Sequence, residues 1–288
     1  MKNLVVKLTI FIYSNFINGL SVFNKKQAAN AAMRVFQKPR GKKITSSNKA
    51  YLLKYKAGDL LVGSESIAYY NWPKTGKKIL LLHGWESYSY RWRPYIKDLQ
   101  KLNYNVFALD AQAHGLSSGK KFSPTAYADA IKSMVEKEKI ELIIAHSVGA
   151  YAAIIYASEN TTPRYLEDLI LLAPTGKLQD FMNQFFDFLK LNDKVREGFR
   201  ENFIRTYGHD LDYFDSDNLI KKVTCRGLLI HDKEDKTLPF KDSEDIAANW
   251  PIGKFIATKG FGHRLKGPFI KELILNYLKK VNKSAVSI

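Results

Sequence analysis

The stretch "IIAHSVGAYAA", residues 143–153, indicates the fold more clearly than any other part of the chain. An apolar run ends at His146, the small polar residue Ser147 follows, and an alanine-rich run begins directly after it. This pattern predicts a β-strand that turns sharply into a helix. Ala145 and Gly149 stand two positions before and two after Ser147, and small residues there let strand and helix meet without collision. The turn would expose the Ser147 hydroxyl.

An exposed serine hydroxyl is a poor nucleophile at neutral pH, so this hypothesis requires three further groups. A base must take the proton, and an acid must orient that base and stabilise its charged form. Backbone N–H groups must face the developing oxyanion, each contributing a factor of about 10²–10³ in rate. The N-terminus of the helix behind Ser147 adds a partial positive charge.

Short β-like runs recur from residue 51 onward, at 51–55, 66–72, 77–83, 105–110, 140–146, 166–173, 226–231 and 253–258. From the third run onward, most gaps contain amphipathic stretches of helical length, such as 91–102, 124–138, 147–159 and 267–280. Nearly unbroken Ile, Leu and Val runs that alternate with helices predict an α/β fold with a mostly parallel eight-stranded sheet. The first two runs lack a helix between them, which predicts an antiparallel hairpin at the sheet edge.

The segment at about 175–222 departs from this alternation and predicts a helical insertion. It contains nine Phe and Tyr residues between Phe181 and Phe214, several at four-residue spacing. In open α/β sheets, material inserted after the carboxyl end of a strand lies over the ligand crevice. We therefore predict a small α-helical lid. Most of its aromatic residues are expected to attach the lid to the body, and a few to line an apolar pocket.

The base and the acid have several candidates each. Of six histidines, those at strand ends or turns more often satisfy backbone groups, and these are His83, His114, His146 and His231. His209 falls in the predicted lid, whereas His263 follows the last strand in the glycine-rich loop "GFGHRLKG" and is the favoured base.

For the acid, "LLIHDKEDKTLPF" (228–240) offers Asp232, Glu234 and Asp235. Asp235 is favoured over Asp232, which would point into the strand end.

The stretch "LLLHGW" (80–85) supplies the second half of an oxyanion site. The N–H of Trp85 is expected to face the same point as the N–H of Val148. Gly84 leaves the backbone room to approach a substrate.

Five stretches, taken in order, resemble the α/β-hydrolase superfamily, close to its bacterial esterase and serine-aminopeptidase-like branch. They are "LLLHGWES", "ALDAQAHGLSSG", "IIAHSVGAYAA", "IHDKEDKTLPF" and "GFGHR", and the resemblance spans about residues 51–281. It implies Ser147, Asp235 and His263 as a catalytic triad, with Trp85 and Val148 as oxyanion donors. It also implies that Asp110, His114 and Gly115 brace a loop rather than react. The sequence departs from the family pattern at Ala145, where glycine is usual.

A serine at this turn argues against the superfamily's dehalogenases and epoxide hydrolases, which use an aspartate there. It favours a serine hydrolase that cleaves an ester or thioester of an apolar acyl group through an acyl-enzyme. The fold does not determine the substrate, so other activities remain open. These are lysophospholipase or monoacylglycerol lipase activity, and peptidase, carbon–carbon hydrolase and acyltransferase activities. A non-catalytic binding protein of this fold also remains open. The expected partner is a small acyl substrate. No cofactor or metal is expected, because no ligand spacing or phosphate loop occurs.

The formal charge of +17 is concentrated near the N-terminus. Residues 1–50 contain ten Lys and Arg residues and no Asp or Glu. No nucleic-acid-binding motif accompanies them, which excludes nucleic acid as the expected partner. An anionic lipid surface attracts basic residues by about 1 kcal/mol each. We therefore expect peripheral contact with an anionic membrane through residues 1–43.

Residues 4–23 have the pattern of an amphipathic helix. On a helical wheel, one narrow polar stripe contains Lys7, Ser14, Asn18, Ser21 and Lys25, and the broad remainder is filled by Leu8, Phe11, Ile12, Phe16, Leu20 and Phe23. Such a helix either lies in a membrane interface or docks on the protein's own surface. The asparagines make it a marginal spanning helix and, with no cleavage site following, argue against a signal peptide.

These patterns divide the chain into a basic N-terminal helical arm at 1–50, which includes a charged linker at 38–43, and an α/β-hydrolase domain at 51–288. The lone Cys225 fits a reducing compartment and a buried, unreactive position. The expected location is cytoplasmic, with peripheral contact at the inner membrane face.

Overall fold

The computed structural model of the chain describes residues 2–40, 44–159 and 163–286. Within these ranges one sheet contains the strands β1 (Lys56–Val62), β2 (Glu65–Trp72), β3 (Lys78–Leu82), β4 (Asn105–Leu109), β5 (Leu142–His146), β6 (Asp168–Leu172), β7 (Arg226–Asp232) and β8 (Gly253–Thr258). The helices are α1 (Lys2–Phe23), α2 (Lys25–Phe36), α3 (Ser46–Tyr55), α4 (Arg93–Lys101), α5 (Pro124–Glu138), α6 (Val148–Ala157), α7 (Leu178–Phe188), α8 (Asp193–Tyr207), α9 (Ser216–Leu219), α10 (Phe240–Ala248) and α11 (Pro268–Val286).

The sheet confirms the predicted mostly parallel, eight-stranded architecture. Its strand order is β1-β2-β4-β3-β5-β6-β7-β8. The pairs β1–β2 and β2–β4 are antiparallel, and all other neighbours are parallel. Because Ala145 pairs with Leu82 on one side and Leu171 on the other, β3, β5 and β6 end at the same edge. Side chains that follow these strands therefore converge there.

Helices cover the central strands, which explains why those strands read as unbroken apolar runs. All residues of β5 and β6 are buried. Helix α11 adds Ile270, Ile274 and Leu278 to the buried cluster beside the sheet, at the four-residue spacing of one helix face. Every residue of α6 is buried, so the helix that follows Ser147 is enclosed on all sides.

The prediction of a first strand at 51–55 is wrong, because these residues form the last half of α3. Thr45 caps that helix by accepting a hydrogen bond from the N–H of Asn48 at 3.3 Å. The rings of Tyr51 and Tyr55 then pack on Trp72. The strand starts only at Lys56, and its antiparallel pairing with β2 forms the edge hairpin that the sequence predicted.

The chain forms two compact units, each with most of its contacts within itself. The helical unit comprises residues 1–38 and 177–215, and the sheet unit comprises 39–176 and 216–288. The arm at 1–50 and the lid at about 175–222 remain predictions drawn from the sequence. Residues 41–43 of the predicted linker lie outside the described residues.

The aromatic residues of the predicted lid pack largely within the helical unit. Phe36 of α2 contacts the rings of Phe181, Phe185 and Phe199, with centroids between 5.0 and 5.9 Å apart. Helices α2 and α8 approach closely at Gly198, where an added Cβ would lie 2.9 Å from the Lys25 side chain. These rings therefore form the core of their own unit.

Candidate active site

The turn at Ser147 has the sharp geometry that the sequence predicted, but Ser147 is buried rather than exposed, with 6% of its surface accessible. The strand β5 ends at His146 and α6 begins at Val148, so Ser147 is the single residue between them. Its φ of 56° and ψ of −126° are rarely adopted by a residue with a side chain. Hydrogen bonds hold it on both sides, from the Ser147 N–H to the Leu172 carbonyl at 2.9 Å and from the Tyr151 N–H to the Ser147 carbonyl at 3.0 Å. Strain held in this way is typical of functional sites.

The small residues on either side of Ser147 make the turn possible. A Cβ added at Gly149 would lie 2.4 Å from the carbonyl oxygen of His83, so only glycine allows α6 to start this close to the end of β3. Ala145 is fully buried between its strand partners. Alanine therefore fits the position at which the superfamily usually has glycine, and the turn still forms.

His263 lies directly against Ser147. Its Nε2 is 3.0 Å from the Ser147 Oγ, and its Nδ1 is 2.8 Å from Oδ2 of Asp235. A carboxylate only accepts hydrogen bonds, so Nδ1 carries the proton and Nε2 is left to accept the serine hydroxyl proton. The structure thus brings together the three side chains that the sequence singled out, from three distant parts of the chain.

Asp235 is held ionised by several donors. Burial alone would raise the pKa of its carboxyl, but hydrogen bonds from His231, from His263 and from backbone amides outweigh burial and hold the pKa well below its usual range. The amides are those of Leu238 and Thr237, which both donate to Oδ1. Asp235 therefore carries the negative charge that orients the His263 ring.

The sequence predicted that His231 satisfies a backbone group, but both of its ring nitrogens contact side chains next to this site. It is fully buried, its Nε2 lies 3.0 Å from Oδ2 of Asp235, and its Nδ1 lies 2.6 Å from the Ser243 Oγ. The Ser243 hydroxyl donates to Nδ1, which places the ring proton on Nε2 toward the carboxylate. No spacing in the sequence marks this contact, because it depends on how the turn after β7 folds back.

The two other acid candidates have different surroundings. Asp232 accepts hydrogen bonds from the Thr258 hydroxyl at 2.8 Å and from the Phe261 N–H at 3.0 Å. Burial by itself would raise the pKa of Asp232, yet these donors lower it overall. Asp232 thus braces the start of the loop that carries His263. Glu234 is exposed and lies 3.8 Å from the Lys259 ammonium.

Two further side chains anchor the same loop. His146 lies with Nε2 at 2.8 Å from the carbonyl oxygen of His263, and it is buried, which lowers its pKa well below the usual value. Arg91 donates to the carbonyl of Arg264 at 2.9 Å. The neutral His146 ring donates from Nε2 to that carbonyl. The position of His263 is therefore fixed through its backbone as well as through its ring.

The backbone expected to form an oxyanion site lies next to Ser147. A Cβ added at Gly84 would be 2.9 Å from the Ser147 Cβ, so this loop touches the serine. Among the described residues, neither the N–H of Trp85 nor that of Val148 has an acceptor in the protein. His83 holds the loop in place by donating from Nδ1 to the Gly84 carbonyl at 2.8 Å. Burial lowers the pKa of His83 to about 4, so the ring is neutral.

The residues Asp110, His114 and Gly115 form a brace behind this loop. Asp110 is fully buried and accepts hydrogen bonds from Tyr70, Ser89 and Leu116, and burial is the main reason that its pKa is raised. His114 accepts a hydrogen bond from the Glu86 N–H, and burial lowers the pKa of His114 to about 4. A Cβ at Gly115 would overlap the Asp110 carboxyl. These contacts hold the loop in place, as the resemblance implied.

The remaining candidates from the sequence lie elsewhere. His209 belongs to the helical unit and stacks on Tyr213, with ring centroids 3.7 Å apart. Cys225 is buried, which raises the pKa of its thiol to about 12 and makes it a weak nucleophile. This fits its interpretation as a small buried hydrophobe.

A comparison with known families identifies the family of the chain. The model of the family described as serine aminopeptidase, S33, matches residues 73–232, more than half of the chain. The chain belongs to this α/β-hydrolase family. The matched residues include the loop at Gly84 and the turn at Ser147, while Asp235 lies 3 residues and His263 lies 31 residues beyond the match.

Solved structures show the same fold. Est1E of Butyrivibrio proteoclasticus, solved with ferulic acid bound, is 16% identical with a TM-score of 0.63 over 81% of this chain and 100% of its own. An esterase of Pyrococcus furiosus is 20% identical with a TM-score of 0.60 over 84% and 97%. A meta-cleavage product hydrolase of Pseudomonas fluorescens is 19% identical with a TM-score of 0.58 over 78% and 98%. No curated protein matches the chain in sequence. At these identities, the likeness establishes the α/β-hydrolase fold and leaves the substrate open.

Proposed function

We propose that this α/β-hydrolase cleaves an ester or thioester of an apolar acyl group, with Ser147 as nucleophile, His263 as base and Asp235 as the orienting acid. The observation that carries the proposal is the continuous row of hydrogen bonds from Ser147 through His263 to Asp235, at 3.0 and 2.8 Å. Such a row is the arrangement by which serine is activated at neutral pH.

In the first half of the reaction, the Ser147 Oγ attacks the acyl carbon while its proton moves to Nε2 of His263. The negative charge that develops on the carbonyl oxygen is stabilised by the N–H groups of Trp85 and Val148, which have no protein acceptor among the described residues. The tetrahedral intermediate then collapses. His263 returns the proton to the departing alcohol or thiol, and the acyl group stays on Ser147 as an ester.

The second half releases the acid. His263 takes a proton from water, the hydroxide attacks the acyl carbon, and the Ser147 oxygen leaves with that proton from Nε2. Asp235 stays ionised throughout and stabilises the imidazolium form of His263 in each half. No redox partner or further co-reactant is needed.

An ester is favoured over an amide by the chemistry of the leaving group and by the structural neighbours. Alcohols and thiols are better leaving groups than amines, and the structural neighbours include an esterase. The preference for an apolar acyl group is inferred from the aromatic residues of the predicted lid, several of which pack within the helical unit. The family description favours a peptidase as the second candidate.

Labelling with a fluorophosphonate probe tests the nucleophile. We expect an adduct on Ser147 in the folded protein, and none in Ser147→Ala. Ser158→Ala is a matched control, because this serine ends the same helix and its hydroxyl only donates to the Ile155 carbonyl. Absence of an adduct in the folded wild type would instead favour a non-catalytic binding protein.

A substrate panel tests the acyl group and the bond. We expect p-nitrophenyl esters to be turned over near neutral to mildly alkaline pH, with kcat/KM rising with acyl chain length. Aminoacyl p-nitroanilides in the same panel report peptidase activity. Faster turnover of the anilides than of every ester would replace the ester proposal with a peptidase.

A further inference from the structure

Helix α1 packs within the helical unit through its polar side. Ser14 and Ser21 are buried, together with Ile17. These residues lie three and four positions apart and therefore share one face of the helix. The polar stripe of an amphipathic helix usually faces solvent. In α1, the serines of that stripe are buried instead.

Hydrogen bonds to the turn between α7 and α8 hold this polar face. The Asn18 side chain donates to the Lys190 carbonyl at 2.9 Å and accepts from the Asn192 N–H at 2.9 Å. The Asn192 side chain donates to the Ser21 hydroxyl at 3.0 Å while capping α8 through the Val195 N–H. The orientation of α1 about its own axis is thus fixed by named, directional contacts.

The apolar face of α1 consequently points outward. Its exposed large residues are Leu8, Phe11, Ile12, Tyr13, Phe16, Val22 and Phe23. The exposed fractions of Phe11, Phe16 and Phe23 are 65%, 62% and 90%. A helix that merely docks on its own protein buries its apolar stripe and exposes the polar one. Here the arrangement is reversed, and such a continuous apolar surface marks an interaction site.

The charge of the segment indicates what covers this face. Residues 1–50 contain ten basic side chains and no acidic one. Lys25 is paired with Glu197 and Glu201, whereas Lys26, Arg34 and Lys38 are exposed. A second copy of the chain would bring two such basic segments together, which repels, whereas anionic headgroups attract them. In the part of the chain that the structure describes, no helix, α1 included, is both long enough and apolar enough to cross a bilayer.

We propose that α1 lies in the interface of an anionic membrane, with its outward apolar face in the boundary between headgroups and acyl chains. The polar stripe fastens the helix to the α7–α8 turn, and the basic residues contact the headgroups. This binding does not depend on the proposed hydrolytic reaction.

Flotation with vesicles tests the proposal on the full chain. Wild-type protein is expected to float with vesicles of phosphatidylglycerol and phosphatidylcholine in equal parts, and much less with phosphatidylcholine alone. Raising the salt from about 0.1 to about 0.5 M should weaken binding by shortening the Debye length. The double variant F11S/F16S should bind at least about tenfold more weakly, because two phenyl rings are lost from the inserted surface.

Leu61→Ser is the matched control, since Leu61 is 79% exposed on β1 in the sheet unit. It should bind vesicles as the wild type does. Near-UV circular dichroism of all variants shows whether the fold is retained. Equal flotation of wild type and F11S/F16S would overturn the proposal. So would a wild-type dimer in light scattering that F11S/F16S converts to monomer without vesicle binding, which would assign the face to a second copy.

Discussion

The buried His231 donates from Nε2 to Oδ2 of Asp235 at 3.0 Å, the same oxygen that receives the Nδ1–H of His263. One carboxylate oxygen therefore serves two imidazoles, while the other accepts two backbone amides. The carboxyl is fixed in plane and cannot rotate away from His263. We regard His231 as a positioning residue for the proposed base.

Replacing His231 by Leu should lower kcat about 10- to 100-fold with little change in KM. The loss corresponds to one hydrogen bond to a charged group, about 1.5–3 kcal/mol, and His231 acts on His263 through Asp235 rather than on substrate. Steady-state kinetics on a p-nitrophenyl ester measures both constants. Ser243→Ala, which removes only the outer hydrogen bond of the His231 ring, should cost less. An unchanged kcat in His231→Leu would contradict this role.

Asp235→Asn should lower kcat by about 10³–10⁴, because the amide donates to His263 and favours the wrong tautomer. Asp232→Asn is the matched comparison, since Asp232 is the last residue of β7, three positions before Asp235, but contacts Thr258 and Phe261. That variant should lose thermal stability through its loop and retain far more activity. Kinetics and thermal melts of both proteins distinguish the two acids, and the reverse ranking would make Asp232 the acid.

Gly149→Ala should destabilise the fold by about 1–3 kcal/mol and reduce activity, because the new methyl group would lie 2.4 Å from the His83 carbonyl oxygen. Backbone must move to relieve that overlap, and Ser147 moves with it. Gly19→Ala is a control of opposite sign, since a Cβ there meets nothing within 4 Å and alanine favours the helix by about 0.5–1 kcal/mol. Denaturant unfolding of the two variants measures the difference. Equal stabilities would show that α6 has room to shift.

Acid should destabilise the protein from about pH 6.5 downward. Burial lowers the pKa of both His83 and His114 to about 4, whereas an unfolded histidine titrates near 6.5. Between these values the unfolded state binds more protons than the folded state, so stability falls as the pH falls. His114→Gln should flatten the dependence of Tm on pH across this window. His209→Gln, an exposed position in the helical unit, should leave it unchanged. Parallel pH curves for the wild type and His114→Gln would contradict the assignment.

The sheet and the positions of the three polar side chains could be predicted from the sequence. The physical reason is the same for both. Central parallel strands are covered on both faces, so they appear as apolar runs that few other structures produce. The residues after such strands meet at one edge, which is why Ser147, Asp235 and His263 could be named from their positions.

What the sequence did not indicate depends on contacts between distant residues. Residues 51–55 carry an apolar pattern that suits a strand or a helix, and the Thr45 cap with the Trp72 ring selects the helix. His231 gains its role only when the turn after β7 brings Asp235 back over it. The rotation of α1 depends on Asn192, which lies far along the chain. Each of these features depends on tertiary contacts with residues that are distant in the sequence.

The backbone of Ser147 also limits how its chemistry can change during evolution. With φ at 56°, the position excludes branching at Cβ, so threonine would add strain even though it offers the same hydroxyl. Cysteine has the shape of serine and fits the same backbone. A single replacement could therefore place a thiol at this position without added strain, whereas a secondary alcohol would be strained.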